Sequence, residues 1–230
     1  MPIRYHDKLY LKTNRYDKPK IASQLLNDIL KKRLSKNKTY KLLDVGCANG
    51  ELLYFLNKKY KNINFCGVDI RNDLLKLAKK KLPEKIILKK YDYTKKAINE
   101  KFDIILCSGV ISIFDNLDNF FKNIKKNMKK NTVLFLFGSF NKYDFDVIVK
   151  YKDLNSKRNS YEPGWNIWSM KTIKNYFKLK KFTKHPFNIN IDLKPNKKDL
   201  LRTWTVKINK KRYFTNCLKI TQSQMWLEIR

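Results

Sequence analysis

Apolar residues recur at helical spacing first in residues 18 to 33, where Ile21, Leu25, Leu26, Ile29 and Leu30 share one face that Leu34 continues. A short apolar run over residues 40–45 then reads as a strand ending in a turn at Gly46, and residues 51–60 return to a helical pattern through Leu52, Leu53 and Leu56. Residues 63–68 give a second strand closed by Asp69, residues 73–81 a helix and residues 86–91 a third strand. Residues 102–107 form a fourth strand and residues 117–128 a helix; residues 132–137 form a fifth strand, apolar almost throughout and so expected to be covered on both faces. Strands alternating with helices at these intervals predict a parallel sheet with right-handed crossovers. After Gly138 the rhythm breaks: residues 139 to 168 are polar and aromatic with no long period. A helix resumes behind Ser169, a good N-cap, through Ile173, Tyr176 and Phe177. Residues 182–193 look like a strand, 203–208 and 212–214 like a hairpin around residues 209–211, and 224–229 like a closing strand.

Composition narrows the picture. A chain of 230 residues that is 43% hydrophobic and 13% aromatic has enough apolar mass for one sizeable domain, and 6 Gly with 6 Pro leave no linker or low-complexity tract. No run approaches 18 apolar residues, which excludes a spanning helix, and the N-terminal residues lack the apolar centre of a signal peptide, so a cytoplasmic location is expected. Cys47, Cys66, Cys107 and Cys217 form no Cys-x-x-Cys pair and are expected to be small buried hydrophobes, neither disulfides nor metal ligands. Lys plus Arg number 52 against 20 acids, a formal charge of +32. That balance points to anionic partners, but 44 of the 52 are Lys, spread from Lys8 to Lys219. A Lys, Asn and Ile excess is what an AT-rich coding sequence produces, and a surface built for phosphate would favour the bidentate fork of Arg.

The chemistry gathers around residues 42–51. Asp44, Gly46 and Gly50 lie where a strand feeds a glycine turn and then a helix, so a ligand can rest against bare backbone at the helix N-terminus. Asp69 closes the next strand, 19 residues after Gly50, placed to accept hydrogen bonds from two ribose hydroxyls. A dinucleotide site would need glycine at positions 48 and 51; Ala48 and Glu51 stand there, and a carboxylate in the first helical turn repels a pyrophosphate.

On these residues the chain resembles the class I S-adenosylmethionine-dependent methyltransferases over residues 38 to 138. The resemblance implies a Rossmann-like α/β fold: a mostly parallel seven-stranded sheet, helices on both faces and a C-terminal antiparallel strand. It implies a D-x-G-x-x-x-G loop (Asp44, Gly46, Cys47, Ala48, Asn49, Gly50) around the methionine part of the cofactor. Asp69 would hold the ribose with Ile70 beside the adenine, Asp92 and Tyr93 would lie near the adenine amino group, and Ser108 and Gly109 would line the sulfonium side. The fourth strand ends in Cys107, Ser108 and Gly109 without the proline that base-modifying members carry there, which points away from nucleic-acid bases. A metal is not expected.

Methyl transfer from a sulfonium asks the protein to position the acceptor, exclude water and, for a hydroxyl, supply a base. His185 is the candidate base, against the alternative of a partly exposed strand histidine. Tyr161, Glu162, Trp165 and Trp168 combine aromatic faces with an acid, as a sugar site would, and Arg202 is a candidate partner for an acidic substrate group. His6, Tyr10 and Tyr16 are either a lid over the cofactor or a docked arm. Residues 201–205 and 224–229 look like small methyltransferases of bacterial surface-polysaccharide pathways, which implies a sugar or nucleotide-sugar acceptor. The expected layout is one domain: an arm and helix (1–37), a cofactor core (38–138), acceptor-recognition insertions (139–215) and a closing strand (216–230), as a monomer or homodimer. An RNA methyltransferase using the lysine-rich surface, and a silent scaffold with a cofactor fold, are the alternatives.

Overall fold

A computed structural model describes residue 4 and residues 6–155, 160–178, 182–186 and 189–230. An N-terminal arm carries a 3-10 helix, His6–Leu11, followed by α1, Ile21–Lys31, whose Leu26, Ile29 and Leu30 are buried. Then β1 (Tyr40–Val45), α2 (Glu51–Lys59), β2 (Ile63–Asp69), α3 (Asn72–Lys81), β3 (Ile87–Lys90) and β4 (Phe102–Ser108) alternate as the apolar pattern requires. A 3-10 turn, Val110–Ile113, leads to α4 (Asp118–Lys126) and to β5, Met128–Asn141. Short strands β6 (Lys150–Tyr151), β7 (Glu162–Pro163) and β8 (Trp168–Ser169) precede α5 (Met170–Phe177), and β9 (Thr183–Pro186), β10 (Trp204–Ile208), β11 (Lys211–Thr215) and β12 (Gln224–Ile229) complete the chain. The main sheet runs β3-β2-β1-β4-β5-β12-β9, with β8 adding beside β5. β12 is antiparallel to both neighbours, and β1 through β5 pair in parallel.

This is the expected architecture, with refinements. β5 is longer than residues 132–137 because its start is stitched to β4 across a register shift. There Thr132 Oγ1 donates to the Phe102 carbonyl at 2.5 Å and accepts from Lys129 N at 2.6 Å, a side chain standing in for the broken ladder. Ser169 caps α5 as expected, its hydroxyl accepting from Lys171 N at 3.0 Å. The hairpin β10–β11 turns at Asn209 and Lys210, both with positive φ, and forms its own two-stranded sheet. Of the expected strand 182–193, residues 183–186 are β9, and 187–188 lie outside the described residues.

Two apolar layers cover the sheet. One joins β1, β2, β4 and β5 to α4 and α5 through Phe120, Phe121, Ile124 and Ile173. The other packs Leu26, Leu30, Leu53, Leu56, Leu75 and Trp226 from α1, α2, α3 and β12. Cys47, Cys66 and Cys107 are buried as expected; Cys217 is not, because the segment after β11 runs along the surface. Among the described residues no helix is long and apolar enough to cross a membrane.

Candidate functional site

The sheet order reverses between β1 and β4, and at such a switch point the strand ends splay to leave a crevice. A narrow cavity of about 120 Å³ lies there, walled by Asp44, Gly46, Cys47, Ala48 and Asn49 after β1, Asp69 and Ile70 after β2, and Ser108 and Gly109 after β4. Gly46 and Gly50 have φ of 79° and 81°, and Ala48 shares the left-handed region at 50°, so the β1–α2 loop is coiled tightly. A Cβ on Gly50 would stand 2.7 Å from Leu82 Cδ1. Gly50 therefore shapes the loop by packing against the end of α3 and is not itself on the cavity wall.

Asp69 locks this loop. Its Oδ2 accepts from Ala48 N at 2.9 Å and its Oδ1 from Arg71 N at 2.8 Å. Burial pushes its pKa up, and those two N–H groups oppose the rise without cancelling it. Asp44 is fully buried, and its Oδ1 has no hydrogen-bond partner. Burial first, then the neighbouring Asp69 charge, pushes Asp44 up to about 7, with Lys20 pulling the other way. Burial likewise raises the Cys47 thiol well above its ordinary value, so it is no thiolate nucleophile.

The arm closes the cavity. Arg4, Asp7, Tyr10 and Lys20 are on its wall, together with Glu51, Leu52, Arg71, Leu74, Val110 and Ile113. Tyr16 is buried and donates from its hydroxyl to the Asn49 carbonyl at 2.7 Å, while Asn49 Nδ2 donates back to the Tyr10 carbonyl at 3.2 Å. Arg15 N donates to Glu51 Oε1 at 2.9 Å. Of the aromatic arm residues, Tyr10 faces the cavity and Tyr16 anchors the arm; His6 turns away, its ring edge-on to Trp165 with the ring centroids 5.4 Å apart. Among the described residues the basic wall residues Arg4, Lys20 and Arg71 are outnumbered by Asp7, Asp44, Glu51 and Asp69, a formal balance of −1 inside a chain of +32.

Other expected site residues are placed elsewhere. Asp92 Oδ1 accepts from Thr94 N and Oγ1 at 2.9 and 2.7 Å, and Tyr93 is core, its hydroxyl donating to Asn127 Oδ1 at 3.0 Å; neither is on the cavity wall. His185 lines neither this cavity nor the larger one: on β9 at the sheet edge, its Nε2 lies 2.9 Å from Oε2 of the buried Glu228, which Arg33 and Arg230 also engage. Trp168 is core as well, its indole N–H donating to the Ile111 carbonyl at 2.9 Å. Trp165 is wedged between Tyr151, stacked at 6.2 Å, and the Arg4 guanidinium at 5.0 Å, so its faces are spent on holding the arm. Tyr161 is exposed, Glu162 accepts from the Tyr151 hydroxyl at 3.2 Å, and Arg202 reaches neither this cavity nor the larger one beyond the arm.

Of the two readings of the arm, the structure shows it docked through Tyr16 and also supplying cavity wall; Arg4 and Asp7 are the wall residues the sequence did not single out. Asp7 and Tyr10 stand three residues apart in the 3-10 helix His6–Leu11, with Arg4 just before it, and so short a run does not stand out beside the longer amphipathic helices.

Sheet order, glycine loop and strand-end acids give the expected Rossmann-like α/β fold, a mostly parallel sheet closed by an antiparallel C-terminal strand. Residues 43–134 match the family described as a methyltransferase domain. Among curated relatives, a malonyl-[acyl-carrier protein] O-methyltransferase of Priestia megaterium is 26% identical over 177 residues, spanning 74% of this chain and 64% of that protein. A tRNA (guanine-N(7)-)-methyltransferase of Prochlorococcus marinus is 28% identical over 190 residues, spanning 74% of this chain and 77% of the other. The chain covers between 33% and 64% of the length of the first four curated relatives. A solved S-adenosylmethionine-dependent methyltransferase of Clostridium acetobutylicum superposes over 97% of this chain and 95% of its own, at a TM-score of 0.53 and 18% identity. The fold is shared throughout.

Proposed function

We propose that the chain is an S-adenosylmethionine-dependent methyltransferase acting on a small molecule, with an oxygen as the methyl acceptor. The observation that carries this reading is the acidic cavity: a −1 wall in a +32 chain, with a buried Asp44 oxygen left without a donor. A ligand bearing positive charge and N–H donors repairs that deficit; a polyphosphate aggravates it. S-adenosylmethionine carries an ammonium and a sulfonium, and the sulfonium supplies an already activated methyl group. In this reading Asp44 and the 46–49 backbone hold the methionine part, Asp69 takes the ribose hydroxyls, and the arm shields the site from water. His185, tied to Glu228, takes no part.

The finer expectation of a sugar acceptor rests on the resemblance of residues 201–205 and 224–229 and on a group of aromatics, of which Trp168 is core and Trp165 pins the arm. Of that group the sugar reading keeps Tyr161 and Glu162 in its support, beside the resemblance of the two C-terminal segments. An RNA acceptor is favoured by the Prochlorococcus relative and by the net charge. Against it, Lys20 is the one lysine on the wall of the acidic cavity among the described residues. The test is transfer of labelled methyl from S-adenosylmethionine into a small-molecule extract and, separately, into total RNA. Label in the extract, resistant to ribonuclease, is the expected result. Label confined to RNA would establish the alternative, and none in either pool would refute the enzyme.

A further inference from the structure

The three-residue turn of the arm gives it two faces. Arg4, Asp7 and Tyr10 wall the acidic cavity, while His6, Leu9 and Lys12 wall a second one of about 740 Å³. Lys8, residues 151–155, Ser160, Glu162 and residues 197–201 and 217–218 also line this second cavity. Its chemistry is the reverse of the first. Among the described residues Lys8, Lys12, Lys152, Lys197 and Lys198 face Asp153, Glu162 and Asp199, a formal balance of +2. Lys12, Lys152, Lys197 and Lys198 make no ion pair among the described residues, whereas Asp199 lies 3.6 Å from His6 and Glu162 holds Tyr151. Apolar surface sits among these charges: Leu154 is 85% and Leu200 53% exposed. Water around such leucines is costly, and a ligand covering them recovers that cost.

We infer that the second cavity binds an anionic amphiphile, with an aliphatic body against Leu154 and Leu200 and a carboxylate or phosphate head among Lys152, Lys197 and Lys198. A neutral sugar leaves the lysines unpaired, and an extended polyanion has no use for the leucines. The inference rests on the methyltransferase reading for its biological sense: the cavity anchors the part of the acceptor remote from the methylated atom, where binding energy can be drawn on for positioning.

Cys217 reports on this cavity, because it lies on the wall and is the one exposed cysteine of the four. The experiment follows its reaction with a chromogenic disulfide in the intact chain. Dodecanoate or dodecyl phosphate, below their micellar concentrations, should slow the reaction tenfold or more, and the stronger of the two identifies the head group. Decanol and inorganic phosphate alone should not. The pair K197E/K198E, and separately Leu200→Ser, should lose the protection while keeping the wild-type melting profile, and K36E/K61E, on another exposed face, should keep it. No slowing by either amphiphile, equal slowing by decanol, protection undiminished in K197E/K198E, or protection by tRNA alone would each overturn the inference. S-adenosylmethionine binding, measured on the same sample by calorimetry, separates the two readings. Cofactor binding without amphiphile protection refutes this cavity's role only; protection without cofactor binding refutes the methyltransferase reading and leaves the cavity.

Discussion

The two cavities flanking the arm differ in how they are made. The acidic one is built at the ends of parallel strands, with Asp44 and Asp69 held by the sheet itself and the loop between them fixed by hydrogen bonds from Ala48 and Arg71. The lysine-rich one is built from the outer face of a 3-10 turn and from segments with little regular structure. A sheet end places charges rigidly enough to leave a carboxylate buried without a partner; surface segments place lysines where solvent screens them. The first kind of site suits one obligatory ligand, and the second suits an acceptor that varies from protein to protein.

The sharpest way to break this contrast is Asp44→Asn. Because the Asp44 pKa is raised from the unfolded value of 3.8 to about 7, its ionisation costs folding stability as pH rises across that window, and the cost is complete above it. The substitution should therefore stabilise the ligand-free chain by about 2 to 4 kcal/mol at pH 8 and hardly at all at pH 4, while weakening S-adenosylmethionine binding. Equal melting shifts at both pH values would remove Asp44 from the account. Asp69→Ala should cost about 1.5 to 3 kcal/mol of cofactor affinity, the scale of hydrogen bonds to a charged group, and leave Cys217 labelling unchanged. If labelling accelerates as strongly as affinity falls, the two cavities are not independent.

Tyr16→Phe removes the hydroxyl that ties the arm to the Asn49 carbonyl, a loss of about 1 kcal/mol that should appear in both cavities, since the arm is their common wall. An effect on cofactor affinity alone would show that the arm serves the first cavity only. The smallest effect on turnover belongs to His185→Ala. It should leave the rate within about twofold and lower the melting temperature slightly, because Glu228 keeps Arg33 and Arg230. Those partners, with His185, hold the Glu228 carboxyl below its usual value against the burial that pushes it up, so its contribution is present at neutral pH and lost as pH falls through the acid range. A tenfold loss of turnover in this variant would restore His185 as a base.

What was legible followed from locality. Asp44, Gly46 and Gly50 sit within seven residues, and Asp69 ends the next strand, so one supersecondary unit announces itself. His185 misled because its partner is 43 positions away on a strand that pairs antiparallel beside it. Trp168 misled because the carbonyl it bonds belongs to Ile111, 57 positions earlier, which places an aromatic from an irregular segment in the core. Gly50, expected against the ligand, lies off the cavity wall and is favoured by its left-handed φ of 81°. Arg4 and Asp7 escaped because one 3-10 turn is too short to establish a period.

Calorimetric titration of S-adenosylmethionine into the wild-type chain and into Asp69→Ala tests the central claim most directly. The account predicts saturable binding by the wild type, weakened at least tenfold in a variant that keeps its cooperative melting. Absence of binding to the wild type, or equal affinity in the folded variant, would contradict it.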